Sequence, residues 1–357
     1  MSTQSKDITA TRTLRYDEAV REAIDQEMER DPDVFVLGIG VDDAKAIYNT
    51  TAGLVEKYGP DRIFDTPLAE DAMTGVAIGA AQAGLRPIHV HIRMDFALLA
   101  MNQIINMAAK SHYMFGGSVT IPMVIRVFVG RSWGSGPQHS QALHSLFMHI
   151  PGLKVVAPAN PYDAKGILVG SIRDNNPVVV MEHRLLAGHE SEVPEELYTV
   201  PFGKARTMRQ GKDLTIVGVS YMALESFRAA EYLEEVGIDA EVIDPVSLSP
   251  LDIDTITESA KRTGRLLVVD NGWLNCGTSA EIITRVVEAV GGSVSIAFKR
   301  MGFAEATCPT TPALADLFYP NARSIAISAN EMVSGKVSDW VPQNKGAIEA
   351  AEFRGPF

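Results

Sequence analysis

Short apolar, β-rich runs alternate with helical patterns along most of this chain, and that alternation constrains the fold more than any other feature. "VFVLG", "RPIHVHI", "PMVIRVFV", "LKVVAP" and "PVVVMEH" follow an amphipathic opening helix of roughly Tyr16 to Arg30 and are separated by "EDAMTGVAIGAAQAG", "FALLAMNQIINMAAKSH" and "PYDAKGILVGSIRD". Strands that are apolar throughout are buried on both faces, so the pattern predicts a mostly parallel sheet with helices on either side. Charges, prolines and glycines break the rhythm between Glu190 and Asp213. It resumes with "LTIVGVS", "DAEVIDP", "RLLVVDNG" and "SVSIAFKR", separated by "ESFRAAEYLEEVG" and "TSAEIITRVVEAVGG". With 357 residues and 46% apolar content there is enough chain for two cores. The expectation is an α/β protein of two doubly wound domains: residues 1–192, a linker 193–213, a smaller domain 214–332, and a tail 333–357.

Charge and composition narrow the function. Acidic residues outnumber basic ones 44 to 32, a net charge of −12, and no basic stripe interrupts the excess. Nucleic acid and an anionic membrane surface are therefore not expected partners. The amino terminus lacks the apolar core of a signal peptide, and Arg86 and His89 break the one glycine- and alanine-rich run before it could span a bilayer. The chain is expected in the cytoplasm. Cys276 and Cys308 stand far apart without metal-ligand spacing and are read as ordinary thiols.

Three stretches carry candidate chemistry. "VFVLGIGVDDA" begins like a dinucleotide fingerprint, but Asp43 stands where the third glycine belongs, and a carboxylate there would repel a pyrophosphate. A plain strand-to-loop turn is the better reading. In "DTPLAEDAMTGVAIGAAQAG", Glu70 falls in the first turn of a helix rich in small residues. It is either an acid favoured by the helix dipole or a partly buried carboxyl sharing a proton with a ligand. "GRSWGSGPQHSQALHSLFMH" follows a buried strand, and open parallel sheets place their chemistry in the loops at such carboxyl ends. His139, His144 and His149 recur every five residues, which scatters them around a helix, so they do not form a one-face metal cluster. His144 and His149 are read as packing or surface residues, while His139 lies in the glycine-rich loop as a catalytic candidate. Gln138 and Arg131 flank it as candidates for substrate contact. Arg131 has two readings: a bidentate clamp for an acidic or phosphorylated substrate, or a surface or interface residue.

"DTPLAE", "GAAQAGLRPI", "NQIINMAAK", "GPQHSQ", "PGLKVVAP", "DAKG", "RDNNPVVVMEH", "PFGKARTMRQGKDLTIV" and "VVDNGW", in this order and spacing, resemble the β subunit of the thiamine-diphosphate-dependent decarboxylating component of 2-oxo acid dehydrogenases. The pyruvate, branched-chain and acetoin enzymes are of this type. The likeness runs from about Arg15 to Asn330. It implies a transketolase-type pyrimidine-binding domain followed by a transketolase carboxyl-terminal domain. It also implies roles. Glu70 would bond a ring nitrogen of the cofactor's aminopyrimidine and promote the imino form that deprotonates the thiazolium. His139 would steer the substrate carboxylate and assist acyl transfer. Met94 and Phe96 lie where an aromatic side chain meets the pyrimidine, and Asp174 and Asn176 fall in a segment that holds a structural potassium ion in several members. The chemistry suits these residue types: a carboxyl that shares a proton with a ring nitrogen belongs in a dry pocket, and a loop histidine titrates in a useful range.

Members that bind the whole cofactor on one chain carry a "GDG" followed about thirty residues later by "NN". This chain has "DNN" at Asp174 and no "GDG". Magnesium and the diphosphate are therefore expected on a second polypeptide, an α subunit, in a heterotetramer with two copies of each. A lipoyl acyltransferase is the expected further partner. The chain departs from the family pattern at Ile39 and Gly40, at Met94, at Val246, and at Arg131 and Trp133 in the histidine loop. Those changes bear on the substrate and the acyl acceptor. The alternative reading is a stand-alone transketolase-like or acyloin-forming carboligase, acting with an α subunit and passing the activated unit to an aldehyde or ketone, and a scaffold that has lost turnover is a third, disfavoured by the presence of both Glu70 and His139.

Overall fold

A computed structural model describes residues 11–43, 46–131 and 135–343; Trp133 and the tail beyond residue 343 lie outside them. The strands are β1 (Thr11–Arg15), β2 (Val34–Gly38), β3 (Ile63–Phe64), β4 (Arg86–His91), β5 (Val124–Val129), β6 (Lys154–Val156), β7 (Val178–His183), β8 (Glu190–Pro194), β9 (Arg206–Arg209), β10 (Leu214–Gly218), β11 (Ala240–Asp244), β12 (Ser247–Ser249), β13 (Arg265–Trp273) and β14 (Ala297–Phe303). The large sheet runs β12-β6-β7-β5-β4-β2-β3 and is parallel except for β12. The second runs β14-β13-β10-β11-β9, again parallel except at the β9 edge. This is the mixed, mostly parallel α/β architecture that the alternating runs predict. Every residue of β5, β7, β10 and β11 is buried, as expected of strands covered by helices on both faces.

The opening helix spans Tyr16–Arg30, and its buried residues Val20, Ala23, Ile24, Glu27 and Met28 follow helical spacing. Its acidic members are matched at long range: Glu27 accepts from Arg173, 2.9 Å at Nε, and Glu22 accepts from the buried Lys165 at 2.5 Å. Both partners lie on the helix Pro161–Arg173, so two helices on one face of the large sheet are locked together.

Three features were not legible from periodicity. β1 and β8 pair into a separate two-stranded sheet that closes the first unit, and both are too polar to announce themselves. β9 lies inside the stretch read as a linker and edges the second sheet. β12 leaves the second unit and adds an antiparallel edge to the first sheet beside β6, tying the two together. Asp244, just before it, is fully buried and accepts from the Val246 and Ala159 amides at 2.8 and 3.1 Å. Burial pushes its carboxyl up to about 8, with nearby Asp163 adding to the rise.

Candidate active site

The carboxyl ends of β2 and β4 and the amino end of the helix Glu70–Gln82 enclose a cavity of about 100 Å³ lined by Ile39, Thr66, Glu70, Met73, His89, His91, Arg93 and Phe96, among others. Asp65 shapes its entrance by accepting from the amides of Gly40 and Thr66, each at 2.8 Å. The second of the two apparent fingerprint glycines, Gly40, thus serves this turn. Glu70 is the first residue of its helix, where the dipole favours a carboxylate, and it is half-buried.

Behind Glu70 the helix buries Thr74, Ala77, Ile78 and Ala81. Thr74 Oγ1 lies 3.1 Å from His89 Nε2 and 3.4 Å from His91 Nε2, while His89 Nδ1 faces the Leu37 carbonyl at 3.4 Å. One proton assignment satisfies all three contacts. His89 Nδ1–H donates to Leu37, the Thr74 hydroxyl donates to His89 Nε2, and His91 Nε2–H donates to Thr74. Both imidazoles are then neutral, as their burial requires: desolvation pushes His89 down to about 4 and His91 well below its ordinary value. The cavity floor is a pair of uncharged rings 4.3 Å apart.

His139 lies in the loop between β5 and the helix His144–Met148. Its half-buried ring meets Phe96 edge-on at 5.2 Å, which joins the loop to the cavity. The loop starts at Gly130, whose φ of +92° and a clash of any Cβ with the His183 ring at 2.2 Å both demand glycine. It is then pinned from several sides. The His139 carbonyl accepts from Arg184 Nη2 at 2.8 Å. Asp95 Oδ1 accepts from the Gln141 amide at 3.2 Å and its side chain at 2.8 Å. At the far end His144 Nε2 faces Asp270 Oδ1 of the second sheet at 3.0 Å.

Of the residues singled out from sequence, Glu70 and Phe96 share the cavity and His139 adjoins it. Met94 does not line it: it is fully buried, and its sulfur accepts from the Leu143 amide at 2.9 Å. Gln138 is exposed, and the Arg131 guanidinium lies over the Tyr319 ring at 5.2 Å. Asp174 and Asn176 are at the opposite, amino-terminal end of β7. There Asp174 Oδ2 pairs with Lys154 at 2.9 Å and Oδ1 accepts from the Asn176 amide at 2.8 Å. Arg86 meanwhile donates to the carbonyls of Ile172 and Asp174 at 3.0 and 3.2 Å. The Asp174 carboxylate is therefore already engaged, and a cation in this segment would depend on other main-chain oxygens. Sequence reasoning missed His89, His91, Arg93, Asp95, Arg184 and Asp270. The two-residue spacing in "HVH" put both imidazoles on one strand face and could have drawn attention to them; the others announce nothing locally.

Residues 12–189 match the family model for the transketolase pyrimidine-binding domain, and residues 203–325 that for the transketolase C-terminal domain. The chain is 45% identical over 334 residues to the β subunit of acetoin:2,6-dichlorophenolindophenol oxidoreductase from Cupriavidus necator, covering 91% of this chain and 98% of that one. It is 45% identical over 271 residues to the pyruvate dehydrogenase E1 component subunit β of Rickettsia bellii, covering 76% and 83%. The mitochondrial subunit β-1 of Arabidopsis thaliana is 42% identical over 312 residues, 86% of each chain. Among solved structures a split-gene transketolase, described as an inactive β4 tetramer, superposes with a TM-score of 0.74 at 23% identity over 91% of this chain and all of that one, a likeness of fold.

Proposed function

Since the chain belongs to the family of β subunits of the thiamine-diphosphate-dependent E1 component of 2-oxo acid dehydrogenases, we propose that with an α subunit it decarboxylates a 2-oxo acid and passes the acyl unit to a lipoyl group. The observation that carries this reading is the cavity that holds Glu70 and Phe96 together with His139 at its edge. Its lining fits the cofactor's pyrimidine: Ile39, Met73 and Phe96 offer an apolar wall for a flat ring, and Glu70 offers one carboxyl for a ring nitrogen. Thiamine diphosphate, when bound, supplies the carbon nucleophile that the reaction needs.

This chain's own groups do the rest. Glu70 holds or releases a proton at its carboxyl oxygen. The neutral His89 and His91 back the cavity without adding a charge that would compete with Glu70. His139 donates or accepts a proton beside the substrate's developing oxyanion. The half-buried Glu70 becomes dry when the α subunit closes over the open side. That subunit holds magnesium and the diphosphate, in a tetramer of two α and two β chains, with a lipoyl acyltransferase as the next partner. A structural potassium ion would sit among main-chain oxygens near Asp174 and Asn176. The two units divide within residues 193–213, and the site of action is the cytoplasm. Among the described residues no helix is long and apolar enough to cross a membrane.

Titration calorimetry tests the shared site. The chain alone should bind thiamine diphosphate weakly, and the α/β complex tightly and with magnesium. Tight, magnesium-dependent binding by the chain alone would sink it.

A further inference from the structure

Beneath the His139 loop, between the two units, lie three arginines, one of them with a buried N–H that has no partner among the described residues. Arg93 is only 8% exposed, and Arg184 only 1%. Arg93 Nη1 donates to the Tyr48 hydroxyl at 2.8 Å and the Ile92 carbonyl at 3.0 Å, yet its Nε is buried with no hydrogen-bond partner among the described residues. Arg184 reaches Ser135 Oγ at 3.4 Å in addition to the His139 carbonyl. Burial pushes its guanidinium down to about 10, which leaves it charged at neutral pH. Arg131 covers Tyr319 from the second unit. Asp95 Oδ2 is likewise buried without a hydrogen-bond partner among the described residues, while the Tyr319 hydroxyl sits by the Cys308 thiol and the Ser140 hydroxyl.

Asp95 is a carboxylate near enough to Arg184 to act on its charge, and one of its oxygens is engaged by Gln141. Glu70 stands on the same cavity wall as Arg93 but belongs to the cofactor in the proposed reaction. The unused Arg93 N–H, on a guanidinium that is 8% exposed, calls for an acceptor among the neighbouring arginines, and an anion supplies one, because buried polar groups are otherwise satisfied.

We propose that Arg93, supported by Arg184 and Arg131, binds a second anionic group at the far end of the substrate, so that the enzyme acts on 2-oxo acids ending in a carboxylate or phosphate. The inference rests on the thiamine-dependent reading. The reacting carboxylate is not the anion concerned: it leaves as carbon dioxide, and a strong clamp on it would stabilise the substrate more than the transition state. A group that keeps its charge throughout is held equally well before and after decarboxylation. Guanidinium suits carboxylate and phosphate alike, since both accept a fork of parallel N–H donors.

The test uses the α/β complex with thiamine diphosphate and magnesium, and compares 2-oxoglutarate and 4-phosphono-2-oxobutanoate with 2-oxohexanoate, an acid of similar length whose far end is uncharged. The kcat/KM for one of the two charged acids should exceed that of 2-oxohexanoate by about tenfold or more, and which one leads identifies the anion. Arg93→Gln should lower kcat/KM for the preferred acid about tenfold more than for 2-oxohexanoate, and the half-buried Arg131→Gln should shift the same ratio in the same direction. Glutarate or 3-phosphonopropanoate, which lack the reacting carbonyl, should raise the melting temperature of the wild type and not of Arg93→Gln. Equal or better turnover of 2-oxohexanoate, or a ratio unchanged in both variants, overturns the anionic substrate and leaves the thiamine reading standing. No decarboxylation of any of the three acids, or of pyruvate, overturns the thiamine reading itself and the inference with it.

Discussion

The two sides of the site are built differently. The Glu70 side is local: Asp65, Thr66, Glu70 and Thr74 come from one stretch, and His89 to Phe96 from the next strand in the chain and its outlet. The His139 side is assembled from afar. Its loop is held by Asp95, Arg184 and Asp270, which come from the outlets of two other strands of the large sheet and from the second sheet. A wall made by neighbours in sequence tolerates change elsewhere, whereas a loop pinned at scattered points depends on the packing of both units. The Glu70 side should therefore respond to substitution chemically, and the His139 side both chemically and structurally.

The largest effect is expected at Glu70. Glu70→Ala should reduce kcat of the α/β complex about ten-thousand-fold at saturating cofactor, the upper range for a positioned acid or base. Its thermal transition should stay close to wild type, because the residue is half-buried at a helix start and makes no long-range hydrogen bond or ion pair among the described residues. Near-wild-type turnover would remove Glu70 from the proton path.

Next comes the histidine pair behind it. His89 is pushed down to about 4 by burial, below its ordinary value near 6.5. In the unfolded chain it takes a proton near pH 6.5 and in the folded chain not until about pH 4. The stability it contributes is therefore present above pH 6.5 and is lost as pH falls to 4, by on the order of 3 kcal/mol. His89→Asn should flatten that part of the pH dependence in urea unfolding, and an unchanged slope would mean the imidazole is not buried neutral.

His139→Ala should slow substrate-dependent steps about a hundredfold while leaving cofactor affinity nearly unchanged. Stopped-flow measurement of formation and transfer distinguishes this from a packing role, which would leave both rates at the wild-type level.

The same contrast explains what could be read from sequence. The helix Tyr16–Arg30 and strands β2, β4, β5 and β7 fall on the predicted runs, because a strand covered on both faces is mostly apolar and that pattern survives the few paired polar residues it buries. Glu70 and His139 stood out by their place at a helix start and a strand end. β1, β8, β9 and β12 did not, since short or polar edge strands are defined by a partner elsewhere in the chain. Over "FALLAMNQIINMAAKSH" the pattern predicts one helix. The backbone instead runs through Met94–Ala97, a 3₁₀ turn at Leu98–Ala100, a wide π turn at Gln103–Ala108 and Ala109–Met114. Arg93, Asp95 and Arg184 looked like ordinary polar residues at strand outlets. Only the fold shows that they meet beneath one loop.

The smallest effect, and the sharpest test of the scattered side, is at Asp270. His144 was read as a packing or surface residue; it is buried, and its Nε2 donates to Asp270 Oδ1 at 3.0 Å across the two units. Asp270 Oδ2 is not spare either, since it accepts from the Ser279 amide at 2.8 Å at the start of the helix Thr278–Val290. Asp270→Asn keeps the shape but replaces one carboxylate oxygen with an amide that cannot accept. Whichever way the amide turns, one buried donor loses its partner, at a cost of about 1–3 kcal/mol. If the pair holds the far end of the histidine loop, the loss is not confined to stability. The rate of the His139-dependent step should fall severalfold at a temperature where the variant is fully folded, while thiamine diphosphate binding at the Glu70 wall is unchanged. A loss of stability with both the rate and the cofactor affinity intact would show that the two sides of the site are mechanically separate. A loss of cofactor affinity as well would show that the Glu70 wall is not as local as its sequence suggests.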